Sequence, residues 1–407
     1  MQNLAVSQRL LLVALLCSLA PAQDSSQTPS HPLVVPRGYL ASKGITPKHT
    51  AFSTVSAGTN AAMQAQSPSI ITLPHFTRTF TFNGTVFPYT MIGQDPASNN
   101  PTDIDTTYVP MSFVFHGITG AHGLEITIDA NAITDEVKGS PLFQNTDLPN
   151  GTLQFEDGQM RAEFLPLLDG PDSNWHVRLN TPQTLTPVTI DVPRDDAELF
   201  QDPVSGEILA IVDIGSLSSK LNTLFRSEPI SATTIPIFIT RNTVFASVTK
   251  GKTNFNTCCV GGFHSAFETA IGKNVFVQTF AFTTSLDSPV AKFTFGDPGV
   301  FADINPLSHE LGELLNDPFV NNRTPRYQLP GLPPGACQRN LEVGDNIENL
   351  SPDYTIITLN GFNYHPQTLS LLQWFEGISP SDAFNGDYSY PDPTRLTAPF
   401  TPCPTNP

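Results

Sequence analysis

His309 and Glu313 stand four residues apart in the run Ser308-His309-Glu310-Leu311-Gly312-Glu313-Leu314-Leu315-Asn316-Asp317-Pro318. In a helix that spacing stacks them on one face. An imidazole and a carboxylate so placed can hold a divalent cation, and the adjacent Glu310 is positioned to take a proton from water bound there. The pattern is that of an H-E-x-x-H metal helix with glutamate in place of the second histidine. A catalytic zinc site takes three protein ligands and keeps a position open, so a third ligand has to come from elsewhere. Glu342 is the first candidate, and Asp345, three residues on, is suited to orient a histidine ligand. His264, Asp317 and His365 are the alternatives. His264 also has an ordinary reading as a packed core histidine, Asp317 as a helix terminator and Glu342 as a surface acid.

The local sequence supplies the helix this chemistry needs. Asn305 is a candidate N-cap, Pro306 suits the first helical position, and Pro318 stops the run at Asp317. Ile304, Leu307, Leu311, Leu314 and Leu315 make an apolar stripe, which predicts His309, Glu310 and Glu313 on the opposite, solvated side. Replacing a neutral imidazole by the Glu313 carboxylate lowers the positive charge felt by bound water. That water is acidified less, and manganese, iron or calcium compete more easily with zinc.

The whole chain narrows the setting. It has 407 residues and a net charge of −17 with 20 Lys plus Arg, a balance that repels nucleic acid and anionic membranes. Arg9, the apolar run Leu10 to Ala20 and Ala20-Pro21-Ala22 predict a signal peptide over residues 1–22, hence export to the cell exterior or a periplasm. No later segment approaches the ~20 apolar residues of a membrane-spanning helix. Beyond Cys17 there are four cysteines, Cys258, Cys259, Cys337 and Cys403, an even count that suits two disulfides. A bond between neighbours is strained, so Cys258 and Cys259 are expected to pair outward with Cys337 and Cys403.

Residues 23–65, rich in Ser, Thr, Ala, Pro and Gln, read as a flexible leader with a short ordered piece at Leu33-Val34-Val35. Residues 66–195 read as a β-rich, sandwich-like accessory domain. Phe76 to Phe82 alternates with period two and meets the hairpin signal Asn83-Gly84; Tyr108 to Phe115, Leu124 to Ile128 and Val188 to Val192 are further strands. Met160 to Leu167 fits a helical turn or a strand. His116 and His122 read as exposed loop histidines, and Asp103, Asp105, Asp195 and Asp196 as surface charge, since no calcium-loop template surrounds them. Residues 196–407 mix types. Gly206 to Ile214 is a strand, Ser216 to Phe225 an amphipathic helix, and Thr233 to Ile239 with Thr243 to Val248 a hairpin. Val275 to Thr283 is a strong strand, and Pro366 to Phe375 a late helix entered through Tyr364-His365.

Taken together, the ordered motifs resemble a group of secreted bacterial metallopeptidase-like proteins. There, an S-H-E-L-x-E-x-x-x-D-P helix is followed by an E-[IV]-x-D segment, here Glu342-Val343-Gly344-Asp345, and by a late Tyr–Gln–Trp patch, here Tyr364, Gln367 and Trp374. Cys258 to Phe267 carries the group's Cys–Gly–aromatic–His pattern, and the resemblance spans roughly residues 205–380. It is fainter toward plant exordium-like secreted proteins, in Gly262-Phe263-His264 and Asp317-Pro318-Phe319. The resemblance implies an α+β, zincin-like C-terminal domain and peptide hydrolysis, with Zn2+ held by His309, Glu313 and Glu342 and Glu310 as general base. The alternative is a non-catalytic extracellular structural or binding protein that retains a metal site or its relic. An open cleft around Glu310 would favour the enzyme, and a filled core the alternative.

Overall fold

Ile235, Ile237 and Ile239 are buried on one face of the strand Ile235–Arg241 and Phe238 on the other, so this strand is covered on both sides. It lies inside a mixed sheet seen in the computed structural model, which describes residues 30–35, 39–43, 48–49, 70–120, 122–130, 134–170, 172–227, 230–271, 274–295 and 303–404. The signal peptide expected over residues 1–22, and most of the leader, lie outside the described residues. The short ordered piece expected at Leu33-Val34-Val35 is a two-residue strand, Leu33–Val34, at one end of this sheet.

From that end the sheet runs through Ala197–Gln201, Ile208–Asp213, Thr243–Ala246, Val260–Ile271, Asn274–Ser285, Ile235–Arg241, Thr106–Thr119 and Gln183–Thr184. The mixed α+β class holds. The expected division at residue 195/196 does not separate two sheets, because Thr106–Thr119 pairs in parallel with Ile235–Arg241. The expected hairpin of Thr233 to Ile239 with Thr243 to Val248 is also corrected. Its two strands are held apart by the long antiparallel hairpin of Val260–Ile271 and Asn274–Ser285, inserted between them. Period-two patterning identifies strands but does not say which neighbour each will choose.

The helix Ile214–Ser227 covers one face of the sheet with Leu217, Leu221, Leu224 and Phe225. On the other face lies the helix Asn305–Asn316, whose expected apolar stripe sits in one core with Ile235, Ile237, Ile239 and Ala281. The hairpin His75–Phe82/Thr85–Ile92 joins that core through Phe76, Phe80, Tyr89 and Met91, turning at Asn83 and Gly84, both at positive φ as a two-residue hairpin turn needs. Behind the Asn305–Asn316 helix packs Phe155–Glu163, so of the helical turn or strand that fitted Met160 to Leu167 the helical alternative holds. The late helix is shorter than expected, Leu372–Glu376. Residues before it are drawn into other bonds: Thr368 N–H donates to the Asp353 carbonyl and Gln367 N–H to Ser308 Oγ. Among the described residues no helix is long and apolar enough to cross a membrane.

The cysteine pairing is corrected too. Cys258 bonds to Cys259, and Cys337 to Cys403 with Cα atoms 6.0 Å apart, an ordinary span for a bridge. The path of the C-terminal segment explains the Cys337–Cys403 bridge. Tyr327 forms a bridge with Pro402 and Arg326 accepts from Cys403 N–H, which lays the C-terminal tail beside the hairpin that carries Cys337. This disulfide joins residues 66 apart, so Cys337→Ser is expected to lower the unfolding free energy by about 2–4 kcal/mol, mostly through the freed unfolded chain. A denaturant midpoint unchanged by the substitution would contradict this.

Candidate metal centre

The helix Asn305–Asn316 begins one residue earlier than its capping signal suggests. Asn305 is inside the helix, Ile304 stands at the cap position without a side-chain bond, and Pro306 lies in the first turn where its missing N–H is harmless. The face expected to meet solvent is buried. His309 and Glu313 have no exposed surface and Glu310 is 1% exposed, because the strand Val260–Ile271, the 341–345 segment and Gln367 close over them.

Strand alternation supplies the second histidine. Phe263 and Phe267 enter the far core, so Gly262 and His264 point the other way, toward the helix. His264 Nδ1 lies 3.4 Å from Glu310 Oε2 and 3.4 Å from Glu313 Oε2, while its Nε2 lies 3.7 Å from Glu342 Oε2. His309 Nε2 lies 3.1 Å from Glu313 Oε1 and 3.5 Å from Asp345 Oδ1. Two groups of potential ligand atoms therefore converge, each within 4.8 Å: His264, Glu310 and Glu313, and His309, Glu313 and Asp345. Glu342, expected beside His309, instead approaches the cluster through His264. Asp345, expected to orient a histidine, stands among the potential ligands.

The orienting role falls to Gln367. Its Oε1 accepts from His309 Nδ1 at 2.5 Å, and its amide nitrogen donates to the Gly344 carbonyl at 2.9 Å. A proton held at Nδ1 leaves the Nε2 lone pair facing Glu313 and Asp345, the tautomer a metal ligand needs. Backbone N–H groups of Gly344 and Asp345 donate to Glu313 Oε1 and fix that carboxylate. Asp317 is buried but turned to its own loop, accepting from Asn321 and Asn322 N–H. His365 is not in the cluster; it pairs with Asp303 at 2.6 Å. Tyr364 donates to the Glu136 carbonyl, away from these ligands. Sequence reading missed Glu156, a buried carboxylate on the helix behind, 3.2 Å from where a Cβ on Gly312 would lie. Nothing in its local pattern marked it.

Without a cation the charges are in tension. Burial disfavours a charged His264, yet Glu310, Glu313 and Glu342 raise its pKa well above the usual imidazole value. Burial likewise opposes charge on His309, but Glu313, Asp345 and Glu310 raise it too. Burial would lift Glu313, but the two histidines hold it far below the usual carboxylate range. Burial and then the Glu313 charge push Glu342 well up and Asp345 up, and burial pushes Asp317 to about 6. Several facing atoms make no hydrogen bond: His264 Nε2, Glu313 Oε2, both Glu342 oxygens and Asp345 Oδ1. Buried polar atoms are nearly always satisfied, so a donor set of imidazole and carboxylate left this way fits a first-row dication.

A cavity of about 490 Å³ lies elsewhere, walled by Phe113, His116, Ile190, Asp191 and Lys220 among others. His116, expected in a loop, lies within the strand Thr106–Thr119, between Asp191 at 2.8 Å and Glu125 at 3.0 Å. Asp103 pairs with Arg178 and Asp196 accepts from Ser216 Oγ, and neither joins a potential metal group among the described residues.

Two glycines let the elements approach. A Cβ on Gly344 would lie 2.5 Å from His309 Nδ1, and one on Gly262 2.8 Å from Glu310 Oε1. Gly344→Ala is therefore expected to displace His309, weaken metal binding at least tenfold and destabilise the fold by roughly 1–3 kcal/mol. Metal titration and thermal unfolding measure both; unchanged affinity would show that His309 has room to move without consequence.

Comparisons with protein-family models, curated proteins and solved structures found no match to the chain.

Proposed function

We propose that the chain is an exported metal-dependent hydrolase acting on peptides. The observation that carries this reading is the convergence on Glu313 of two imidazoles and further carboxylates whose facing atoms lack hydrogen bonds. His309, Glu313 and Asp345 hold the cation, and Gln367 keeps the His309 lone pair turned to it. A bound dication supplies Lewis acidity toward a substrate carbonyl. The proton acceptor belongs to the His264 side of the cluster, where Glu310 and Glu342 both face that imidazole. Zn2+ is the first choice of metal, with Mn2+ and Fe2+ suited by the number of carboxylates.

One observation favours a second reading, a binding or structural protein of the cell exterior that keeps its metal without turnover. The cluster is enclosed: Glu310 is 1% exposed, and His264, His309, Glu313 and Glu342 not at all. Part of the leader helps to close it. The strand Lys48–His49 pairs in parallel with Val260 and Gly262 and packs against the site helix. Metal analysis followed by chelator-sensitive cleavage of a peptide library, before and after limited proteolysis of the leader, tests the proposal. Chelator-sensitive cleavage in either form supports the hydrolase. A metal-loaded protein that cleaves nothing in both forms establishes the second reading, and a chain that takes up no cation overturns both.

A further inference from the structure

We propose that the cluster seats two divalent cations rather than one, with Glu313 bridging them. This rests on the reading that the cluster holds metal, and extends it to a second seat. The two oxygens of Glu313 face different imidazoles: Oε1 is 3.1 Å from His309 Nε2, and Oε2 is 3.4 Å from His264 Nδ1. Each imidazole has its own further carboxylate, Asp345 Oδ1 at 3.5 Å from His309 and Glu310 Oε2 at 3.4 Å from His264. The shared residue is thus flanked by two potential ligand triads, and each triad is complete without the other's histidine.

Unsatisfied atoms point to occupants on both sides. Glu313 Oε2 on the His264 side and Asp345 Oδ1 on the His309 side are buried without a hydrogen bond. Both Glu342 oxygens are in the same condition beside His264 Nε2. Oε1 of Glu313 also accepts from Gly344 and Asp345 N–H, which orients the carboxylate while leaving its other oxygen to His264.

Charge gives the same count. Among the described residues, Glu313, Glu342 and Asp345 meet positive charge only at the two histidines. Metal binding requires neutral imidazoles and ionised ligand carboxylates, so Glu310, Glu313 and Asp345 carry three negative charges in a dry space that also holds Glu342 and Asp317. One dication leaves one ligand charge uncompensated, whereas two dications offset all three and leave positive charge to meet Glu342. A buried charge without a partner is costly enough to decide between these cases. In this arrangement Glu310 is a ligand of the second cation, and Glu342 is left as the proton acceptor.

The test is stoichiometry. The purified full-length mature protein, stripped with chelator and reloaded with Zn2+ or Mn2+, is expected to retain two ions per chain after desalting. The Mn2+ form should give the spin-coupled resonance of a paired site. Asp345→Asn and Glu310→Gln should each retain one ion, and Glu313→Gln fewer than one. Far-ultraviolet dichroism and thermal unfolding of each variant confirm that it is folded, and a misfolded variant is replaced by Asp345→Ser or Glu310→Ser. One ion per chain in the parent, with an uncoupled Mn2+ spectrum, overturns the second seat while leaving a metal site. No ion at all overturns the metal reading itself.

Discussion

Glu313→Gln is expected to strip the protein of bound metal and of hydrolysis together. Among the potential ligands only Glu313 belongs to both triads, so its charge is felt on both sides. The amide keeps the shape and still accepts from Gly344 and Asp345 N–H. What goes is the charge that faces two buried imidazoles. Removing one member of a buried ion pair costs about 3–5 kcal/mol, and that loss should be readable in the metal-free chain by chelator-treated unfolding. Its pH dependence follows from the shifts. The depressed Glu313 pKa contributes stability that is present above the ordinary 4.5 and lost as pH falls through the lower folded value. The raised His264 and His309 values contribute stability that is present below the ordinary 6.5 and lost as pH rises through the higher folded values. The gap between parent and variant should therefore be widest between about pH 5 and 6.5 and narrow on either side. A variant that still binds metal, or a gap that grows steadily to pH 10, would show that Glu313 is not the shared counter-charge.

The part of this site that lies on one helix was legible in the sequence, because helical spacing converts directly into a face. His309, Glu310 and Glu313 are where a 3.6-residue period puts them, and the stripe from Ile304 to Leu315 packs as its spacing predicts. Which face meets water was not legible. The apolar stripe identifies the side that packs on the sheet, but nothing local shows that the strand carrying Gly262 and the loop carrying Gly344 close over the polar side. Those are contacts between residues tens of positions apart, and only the absent Cβ atoms of the two glycines hinted at them. The same limit explains the sheet. Individual strands such as Val188–Pro193 and Asn274–Ser285 follow from alternation, but the insertion of the 260–285 hairpin between two neighbouring strands is a choice of partner. Cys258 and Cys259 were misassigned for a related reason: their expected partners lie together at the tail, already bonded to each other.

Glu310 and Glu342 separate the two ways in which the cluster can work. The helix pattern alone makes Glu310 the proton acceptor and Glu342 a ligand. The geometry exchanges them: Glu310 converges with His264 and Glu313, while Glu342 stays outside both triads with its oxygens unbonded. Glu342→Gln is therefore expected to keep the full metal content and lower hydrolysis by roughly 10²–10⁴-fold, the usual contribution of a positioned acid–base group. Burial already pushes the Glu342 pKa well up, so the neutral amide replaces a group that burial also drives toward neutrality, and stability should change little. Glu310→Gln should lose one ion as well as the rate, because a neutral amide is a poor ligand for a dication. The two variants are compared with the parent on one peptide library, with ion content measured on the same samples. If Glu310→Gln keeps its metal and loses the rate while Glu342→Gln loses metal, the roles read from the helix pattern stand and the exchange is wrong. If the parent, metal-loaded and freed of its leader, cleaves nothing, neither residue is an acid–base catalyst and the enclosed cluster is a structural metal site.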